Sequence, residues 1–153
     1  MLSINSKAPD IELKTDESFF SPEDYNDKNL IVFFFPKADT SGCTSEALAF
    51  SKLKKEFENQ ETIIIGISKD NPEKQKKFKE KHNLNCILGA DHETDICEQY
   101  GVWVEKSMYG RKYMGIQRTT FFINKKGEIK FIWPKVKVNG HAEDVLKKIK
   151  ELN

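Results

Sequence analysis

A strand pattern that ends in a cysteine-bearing turn constrains the fold of this chain more than any other feature. Residues 30–35 read Leu-Ile-Val-Phe-Phe-Phe and are followed by Pro36, a polar turn and Cys43. Six consecutive apolar residues bounded by turn residues predict a strand that is buried on both faces. Pro36 ends the strand because it has no N–H group for the sheet. From Thr44 onward apolar residues recur at helical spacing, so we expect a helix to begin near Cys43.

Cys43 is therefore predicted to lie at a helix N-terminus. A sulfur atom in that position is close to the positive end of the helix dipole and to backbone N–H groups without helical partners. Both favour the thiolate, which is the reactive form of cysteine. Gly42 and Thr40 place further backbone and hydroxyl donors beside the sulfur. These features predict a nucleophilic cysteine rather than an inert core residue.

The remaining patterns predict alternating strands and helices. In chain order we expect an N-terminal β-hairpin within residues 8–20, a short helical turn from Ser21, helices at 43–58, 71–82, 91–100 and 141–152, strands at 62–68, 86–88, 118–123 and 128–133, and a long loop at 102–113. This order predicts a single α/β domain, residues 1–153, with a thioredoxin-like fold in which helices flank a central mixed β-sheet. Open α/β sheets collect their chemistry beyond the carboxyl ends of the strands, where the turn after residue 35 places Cys43.

Composition narrows the classes of partner. Lys and Arg number 25 and Asp and Glu 24, with both signs scattered along the chain, which disfavours nucleic-acid and membrane partners. No apolar run is long enough for a membrane helix, and three cysteines at wide spacing do not form a secreted disulfide framework. We therefore expect a cytoplasmic protein that needs no cofactor or metal. The moderate charge and the lack of a C-terminal extension favour a monomer.

A family resemblance adds to these patterns. The spacing of Pro36, Thr40 and Cys43 resembles the Pro-x-x-x-Thr-x-x-Cys motif of the peroxiredoxins. The segments Phe-Phe-Pro-Lys and Gly-Cys-Thr-x-Glu are similar to the bacterioferritin-comigratory-protein (PrxQ-like) subfamily, as are four segments between residues 98 and 142. The resemblance implies a thiol peroxidase that reduces hydrogen peroxide and organic hydroperoxides.

Chemical roles follow for five residues. Peroxide reduction needs a thiolate nucleophile, for which we expect Cys43, and donors that stabilise the leaving oxygen. Thr40 is expected to turn its hydroxyl toward the same pocket, and Arg118 to bring a permanent charge and a fork of donors from a later strand. Pro36 is expected to shield the sulfur from water. Glu46 is expected to support the site, for example by holding an arginine in place.

The chain departs from the subfamily at the resolving cysteine. Attack on peroxide leaves a sulfenic acid, which a second thiol must reduce before it is overoxidised. The resemblance places that thiol at position 48 or 79, which here hold Leu48 and Lys79. Cys86 is predicted at the far end of the sheet, and Cys97 on a buried helix face, where core packing is favoured over a resolving role. We expect a one-cysteine cycle in which thioredoxin, glutaredoxin or glutathione reduces Cys43.

Three other functions share some of these sequence features. A dithiol oxidoreductase would need Cys-x-x-Cys, but Glu46 occupies the second cysteine position. A redox sensor or holdase would use the same reactive cysteine without turnover, and sequence alone leaves that alternative open. A metal site has candidate ligands without a recognised spacing in the segment 82–97: His82, Cys86, Asp91, His92, Asp95 and Cys97.

Overall fold

The computed structural model describes residues 2–153, which form a seven-stranded mixed sheet, a separate two-stranded hairpin and six helices. The strands are β1 (Leu13–Thr15), β2 (Phe19–Phe20), β3 (Asn29–Phe34), β4 (Thr62–Ser68), β5 (Ile87–Ala90), β6 (Trp103–Met108), β7 (Arg111–Ile116), β8 (Thr119–Ile123) and β9 (Ile129–Trp133). The helices are α1 (Pro22–Tyr25), α2 (Ser41–Lys52), α3 (Lys54–Asn59), α4 (Pro72–His82), α5 (Ile96–Gln99) and α6 (His141–Leu152). Within the described residues, no helix is long and apolar enough to cross a membrane.

The large sheet has the order β2-β1-β5-β4-β3-β8-β9. Strands β3, β4 and β5 are parallel to one another, whereas β1, β2, β8 and β9 pair antiparallel with their neighbours. Helix connections therefore join the parallel strands, and a tight turn joins β8 to β9. The predicted N-terminal hairpin and the central mixed sheet are both confirmed.

Strand β3 separates two apolar cores. Alternate residues point to opposite faces of a strand, so Leu30, Val32 and Phe34 pack into one core and Ile31 and Phe33 into the other. The first core contains α5 and the root of the β6–β7 hairpin, and the second contains residues of α2, α3, α4 and α6. The side chains of β3 from residue 30 to residue 34 are fully buried, as expected for a strand covered on both faces.

Three sequence predictions differ from the structure. The predicted loop at 102–113 is instead the β6–β7 hairpin, closed by a two-residue turn in which Tyr109 and Gly110 both have positive φ. The predicted helix at 91–100 shrinks to α5, because the Asp91 carboxylate accepts the backbone N–H groups of Ile96 and Cys97 and folds residues 91–95 into a turn. The predicted helix at 43–58 is divided into α2 and α3 at residue 53.

Candidate active site

Cys43 lies in the first turn of α2, beyond the carboxyl end of β3. The chain leaves β3, passes through an exposed turn and begins α2 at Ser41, so Cys43 is the third helical residue. Thr40 is the N-cap residue, with an extended backbone. The Cys43 side chain is 1% exposed and packs in the core that also contains Phe35 and Ala47. The predicted position at a helix N-terminus is confirmed, and the thiol is more deeply buried than the sequence pattern indicated.

Arg118 bridges the thiol and a buried carboxylate. Its Nη2 donates to Cys43 Sγ at 3.3 Å, and its Nη1 donates to Glu46 Oε1 at 2.7 Å. The planar fork of arginine makes both contacts possible from one side chain. A Cβ atom on Gly42 would lie 3.2 Å from Arg118 Nη2, so a glycine beside the cysteine leaves room for this approach. The structure therefore brings Arg118 next to Cys43 and Glu46, which lie more than 70 residues earlier in the chain.

Glu46 is the electrostatic counterpart of Arg118. Its side chain is 1% exposed, and its Oε2 atom is buried without a hydrogen-bond partner among the described residues. Burial raises the pKa of Glu46 to about 7, although the Arg118 guanidinium opposes that rise. Burial alone would lower the pKa of Arg118, but the charges of Glu46 and Cys43 outweigh burial and raise it. Arg118 therefore stays positively charged beside the sulfur of Cys43.

Thr40 and Pro36 lie in the turn between β3 and α2, and both are exposed. The Thr40 hydroxyl donates to the Lys37 carbonyl at 3.0 Å, and the Thr40 carbonyl accepts the Thr44 hydroxyl at 2.7 Å. The hydroxyl is thus used within the turn in this state, and its donation to the thiolate stays a prediction. Shielding of the sulfur by Pro36 also stays a prediction.

Polar contacts that the sequence did not reveal tie this turn to α4 and to the loop after β4. The Ala38 N–H donates to Asp70 Oδ2 at 2.7 Å. Asp39, which has a φ of 64°, contacts Lys81 Nζ at 2.8 Å and His82 Nε2 at 2.6 Å. The hydrogen bonds from Lys81 and His82 hold the pKa of Asp39 below its ordinary value. The turn that precedes Cys43 is therefore fixed at two adjacent residues.

A second cation near the site, Lys106, also escaped the sequence analysis. It lies on β6, its Cδ packs against Gly115, and its Nζ donates to the Ile116 carbonyl, two residues before Arg118. Burial lowers the pKa of Lys106, Arg118 lowers it further, and Cys43 acts in the opposite direction. Lys106 is thus close enough to Arg118 and Cys43 for the charge of each to change its pKa. The glycine turn at residue 110 was the signal that could have revealed its hairpin.

The other two thiols lie apart from Cys43. Cys86 accepts a hydrogen bond from Ser51 at 3.7 Å, and Ser51 follows Cys43 by eight residues on α2, roughly 12 Å along the helix axis. A disulfide needs Cα atoms within about 7 Å. Cys97 is fully buried in the core on the opposite face of the sheet. Burial raises the pKa of Cys86 to about 11, and burial together with Asp91 raises the pKa of Cys97 strongly.

The residues considered for a metal site have other partners. Asp91 accepts from Thr94 and from two backbone N–H groups, and His82 contacts Asp39. Across residues 2–153, no cluster of three or more His, Cys, Asp or Glu side chains has an arrangement that could hold a metal ion.

Comparisons with known proteins identify the family of the chain. The sequence model of the AhpC/TSA family matches residues 4–132. The chain is 43% identical over 146 residues to a putative peroxiredoxin Bcp of Coxiella burnetii, covering 95% of this chain and 97% of the relative. It is 42% identical over 153 residues to peroxiredoxin Bcp of Bacillus subtilis, covering 99% and 98% of the two chains.

A solved structure of the bacterioferritin comigratory protein of Xanthomonas campestris superposes with a TM-score of 0.89 at 32% identity, covering 99% of this chain and 97% of that one. The superposition confirms the predicted thioredoxin-like fold. The chain therefore belongs to the AhpC/TSA family and, within it, to the peroxiredoxins of the Bcp and PrxQ type, which are thiol peroxidases.

Proposed function

We propose that Cys43 is the peroxidatic nucleophile of this thiol peroxidase and that it works in a one-cysteine cycle on hydrogen peroxide and organic hydroperoxides. The observation that carries the proposal is the Arg118 fork, which contacts Cys43 Sγ and Glu46 Oε1 together. The structure of the Xanthomonas campestris relative concerns its alkyl peroxide reduction activity, which supports organic hydroperoxides as substrates here.

In the first step the Cys43 thiolate attacks one peroxide oxygen. An S–O bond forms, the O–O bond breaks, and its electron pair leaves with the second oxygen, which takes a proton from water and departs as water or an alcohol. Sulfur is oxidised to sulfenic acid, and the peroxide is reduced. Negative charge moves from sulfur to the leaving oxygen, so a permanent cation beside both stabilises the transition state. Arg118 supplies that cation, Thr40 an additional hydroxyl, and Pro36 shielding from water.

In the second step an external thiol reduces the sulfenic acid. Its sulfur forms a mixed disulfide with Cys43 and water leaves; a second thiol then attacks the mixed disulfide and releases the Cys43 thiolate. Cys86 lies beside Ser51, eight residues from Cys43 along α2, and Cys97 is buried on the opposite face of the sheet; both positions support an external thiol over an internal partner. Thioredoxin, glutaredoxin and glutathione are the candidate reductants. We further propose that the chain acts as a single-domain monomer in the cytoplasm.

Peroxide consumption measured with thioredoxin, glutaredoxin and glutathione systems tests this proposal. We expect many turnovers per protein, abolished in Cys43→Ser and retained in Cys86→Ser and Cys97→Ser. A single stoichiometric oxidation without turnover would instead identify a redox sensor. Mass spectrometry of dilute peroxide-treated protein provides the second readout, because an intramolecular disulfide between Cys43 and Cys97 would contradict the one-cysteine cycle.

A further inference from the structure

The β6–β7 hairpin presents an exposed surface of tyrosine, methionine and cationic side chains near the candidate site. In its register Lys106 pairs with Tyr113 and Met108 with Arg111, and alternate residues share a face, so these four side chains lie on one side of the hairpin. Tyr113 is 44% exposed and Met108 57%, and Tyr109 at the turn is 99% exposed. We refer to Lys106, Met108, Tyr109, Arg111 and Tyr113 as the hairpin face. Through Lys106 it is continuous with the surroundings of Arg118 and Cys43.

The charge around this face is strongly one-sided. The hairpin face carries Lys106 and Arg111 and no carboxylate, and the segment 134–139 carries two lysines and no carboxylate, although the whole chain has 25 cationic and 24 acidic residues. The two lysines of that segment are Lys135 and Lys137. Lys112 and Glu105 lie on the opposite face of the hairpin and pair with each other, and Arg118 pairs with the buried Glu46. The segment 134–139 is adjacent because Val136 N–H donates to the Arg118 carbonyl at 2.8 Å. A partner of this surface is therefore acidic. A second copy docked symmetrically would oppose like charges.

The length of the hairpin and the residue types on the hairpin face favour a protein over a small thiol as the partner. Strand β7 spans five residue steps from Arg111 to Ile116, so the hairpin extends roughly 17 Å from its tip to the strand end near Arg118. A tripeptide thiol spans about 10 Å at most, whereas about 800 Å² of buried surface per partner is usual for a protein complex. Tyr, Met and Arg are enriched in protein interfaces. Helices that bind membranes instead use Trp, Phe and Leu, which the hairpin face lacks.

We propose that the hairpin face is the docking surface for an acidic protein reductant of the thioredoxin or glutaredoxin type. This inference rests on the proposed function, because it assumes that an external thiol reduces Cys43. The surface brings the partner's thiol beside the sulfenic acid, while the chemical step with peroxide is independent of it. Docking therefore governs the second half of the cycle alone.

The test compares reduction by proteins with reduction by small thiols. In Met108→Gln/Tyr113→Ser, we expect kcat/KM for the better protein reductant, thioredoxin or glutaredoxin, to fall about tenfold. Glutathione and dithiothreitol rates, and the rate of reaction with peroxide, should stay within about twofold of the wild type. Met114→Gln is the matched control, because Met114 is 48% exposed on the opposite face of the same hairpin. Arg111→Glu should lower the protein-reductant rate and weaken its salt dependence.

Four results would overturn the inference: no loss in the double variant, an equal loss with small thiols, an equal loss in Met114→Gln, or a wild type that only small thiols reduce. The inference would also be overturned if sedimentation showed that the wild type is a dimer and the double variant a monomer. Binding to phosphatidylserine vesicles with unchanged reductant kinetics would assign the face to membranes instead. Failure of the proposed function looks different, since wild-type protein would then consume no peroxide with any thiol. Urea midpoints verify that each variant is folded.

Discussion

Glu46 and His141 are buried titratable groups whose contributions to the pH dependence of the free energy of unfolding should nearly cancel. The pKa of Glu46 is raised by burial from 4.5 to about 7, so its contribution to stability is complete below pH 4.5 and is lost as pH rises to 7. The pKa of His141, whose Nε2 is 2.8 Å from the Thr120 hydroxyl, is lowered mainly by burial from 6.5 to about 4. Its contribution is complete above pH 6.5 and is lost as pH falls to 4.

Each pKa shift changes the free energy of unfolding by about 3 kcal/mol over this range. As the pH rises, Glu46 lowers this free energy and His141 raises it. The wild-type free energy of unfolding should therefore change little from these two groups between pH 4.5 and pH 7. Glu46→Gln removes one contribution, and the free energy of unfolding should then rise by about 3 kcal/mol across that interval relative to the wild type. His141→Gln should give a relative fall of similar size, and the double variant should return to the wild-type slope.

Urea unfolding at a series of pH values, followed by the fluorescence of the two tryptophans, measures these slopes on reduced protein. Carboxylates elsewhere in the chain contribute equally to every variant, so only differences between slopes are interpreted. The reasoning would be refuted if Glu46→Gln and wild type had the same slope. That result would mean that Arg118 keeps Glu46 ionised throughout the interval and that burial does not govern its titration.

Three further predictions concern the site. Arg118→Lys keeps the charge but loses the fork, so stopped-flow reaction of reduced protein with peroxide should slow about 10²-fold, and an unchanged rate would remove Arg118 from the mechanism. Gly42→Ala places a methyl group 3.2 Å from Arg118 Nη2, so the rate of reaction with peroxide should fall severalfold. The urea midpoint should be maintained or raised, because alanine favours helix. A parallel loss of reactivity and of the urea midpoint would indicate misfolding instead. Replacing Cys86 and Cys97 together by alanine should leave turnover with an external thiol within about twofold, and loss of turnover would reveal an internal resolving thiol.

Much of the fold was predictable because its signals are local. The apolar run at 30–35, the proline after it and the helical spacing from Thr44 onward placed Cys43 at a helix start before any contact was known. The turn between β8 and β9 was predicted from Gly127, which has a φ of 81°. Such positions depend on backbone conformations that few residue types adopt, so sequence reveals them directly.

The errors arose where side chains from elsewhere override local preference. Residues 91–95 have a helical pattern, but the buried Asp91 carboxylate takes the backbone N–H groups that would start a longer helix. The β6–β7 hairpin has little alternation of apolar and polar residues, because its outer half is exposed on both faces. Its only strong local signal was the glycine turn at residue 110, and Lys106 was missed with it.

The site was predictable in its members but not in its energetics. Sequence suggested Arg118 as a charged fork brought from a later strand and Glu46 as a support that could hold an arginine in place. It could not show that one guanidinium serves both Cys43 and Glu46, because that contact spans more than 70 residues of chain. Nor could it show that Glu46 is fully buried, which is the physical reason for its raised pKa.

In the proposed cycle, the burial of Cys43 places different structural demands on its oxidation and on its reduction. Cys43 is 1% exposed. A small peroxide needs only a narrow approach beside Arg118, whereas a protein thiol must reach bonding distance of the sulfur itself. Below the site, Phe35 and the strand leading to it are fully buried, and opening there would expose the core. Above it, the turn is held by polar contacts of Ala38 and Asp39 near the surface, where water can replace the lost partners. The turn is therefore the part that can yield to a reductant, so its contacts should control the rate at which Cys43 is reduced more than the rate at which it is oxidised.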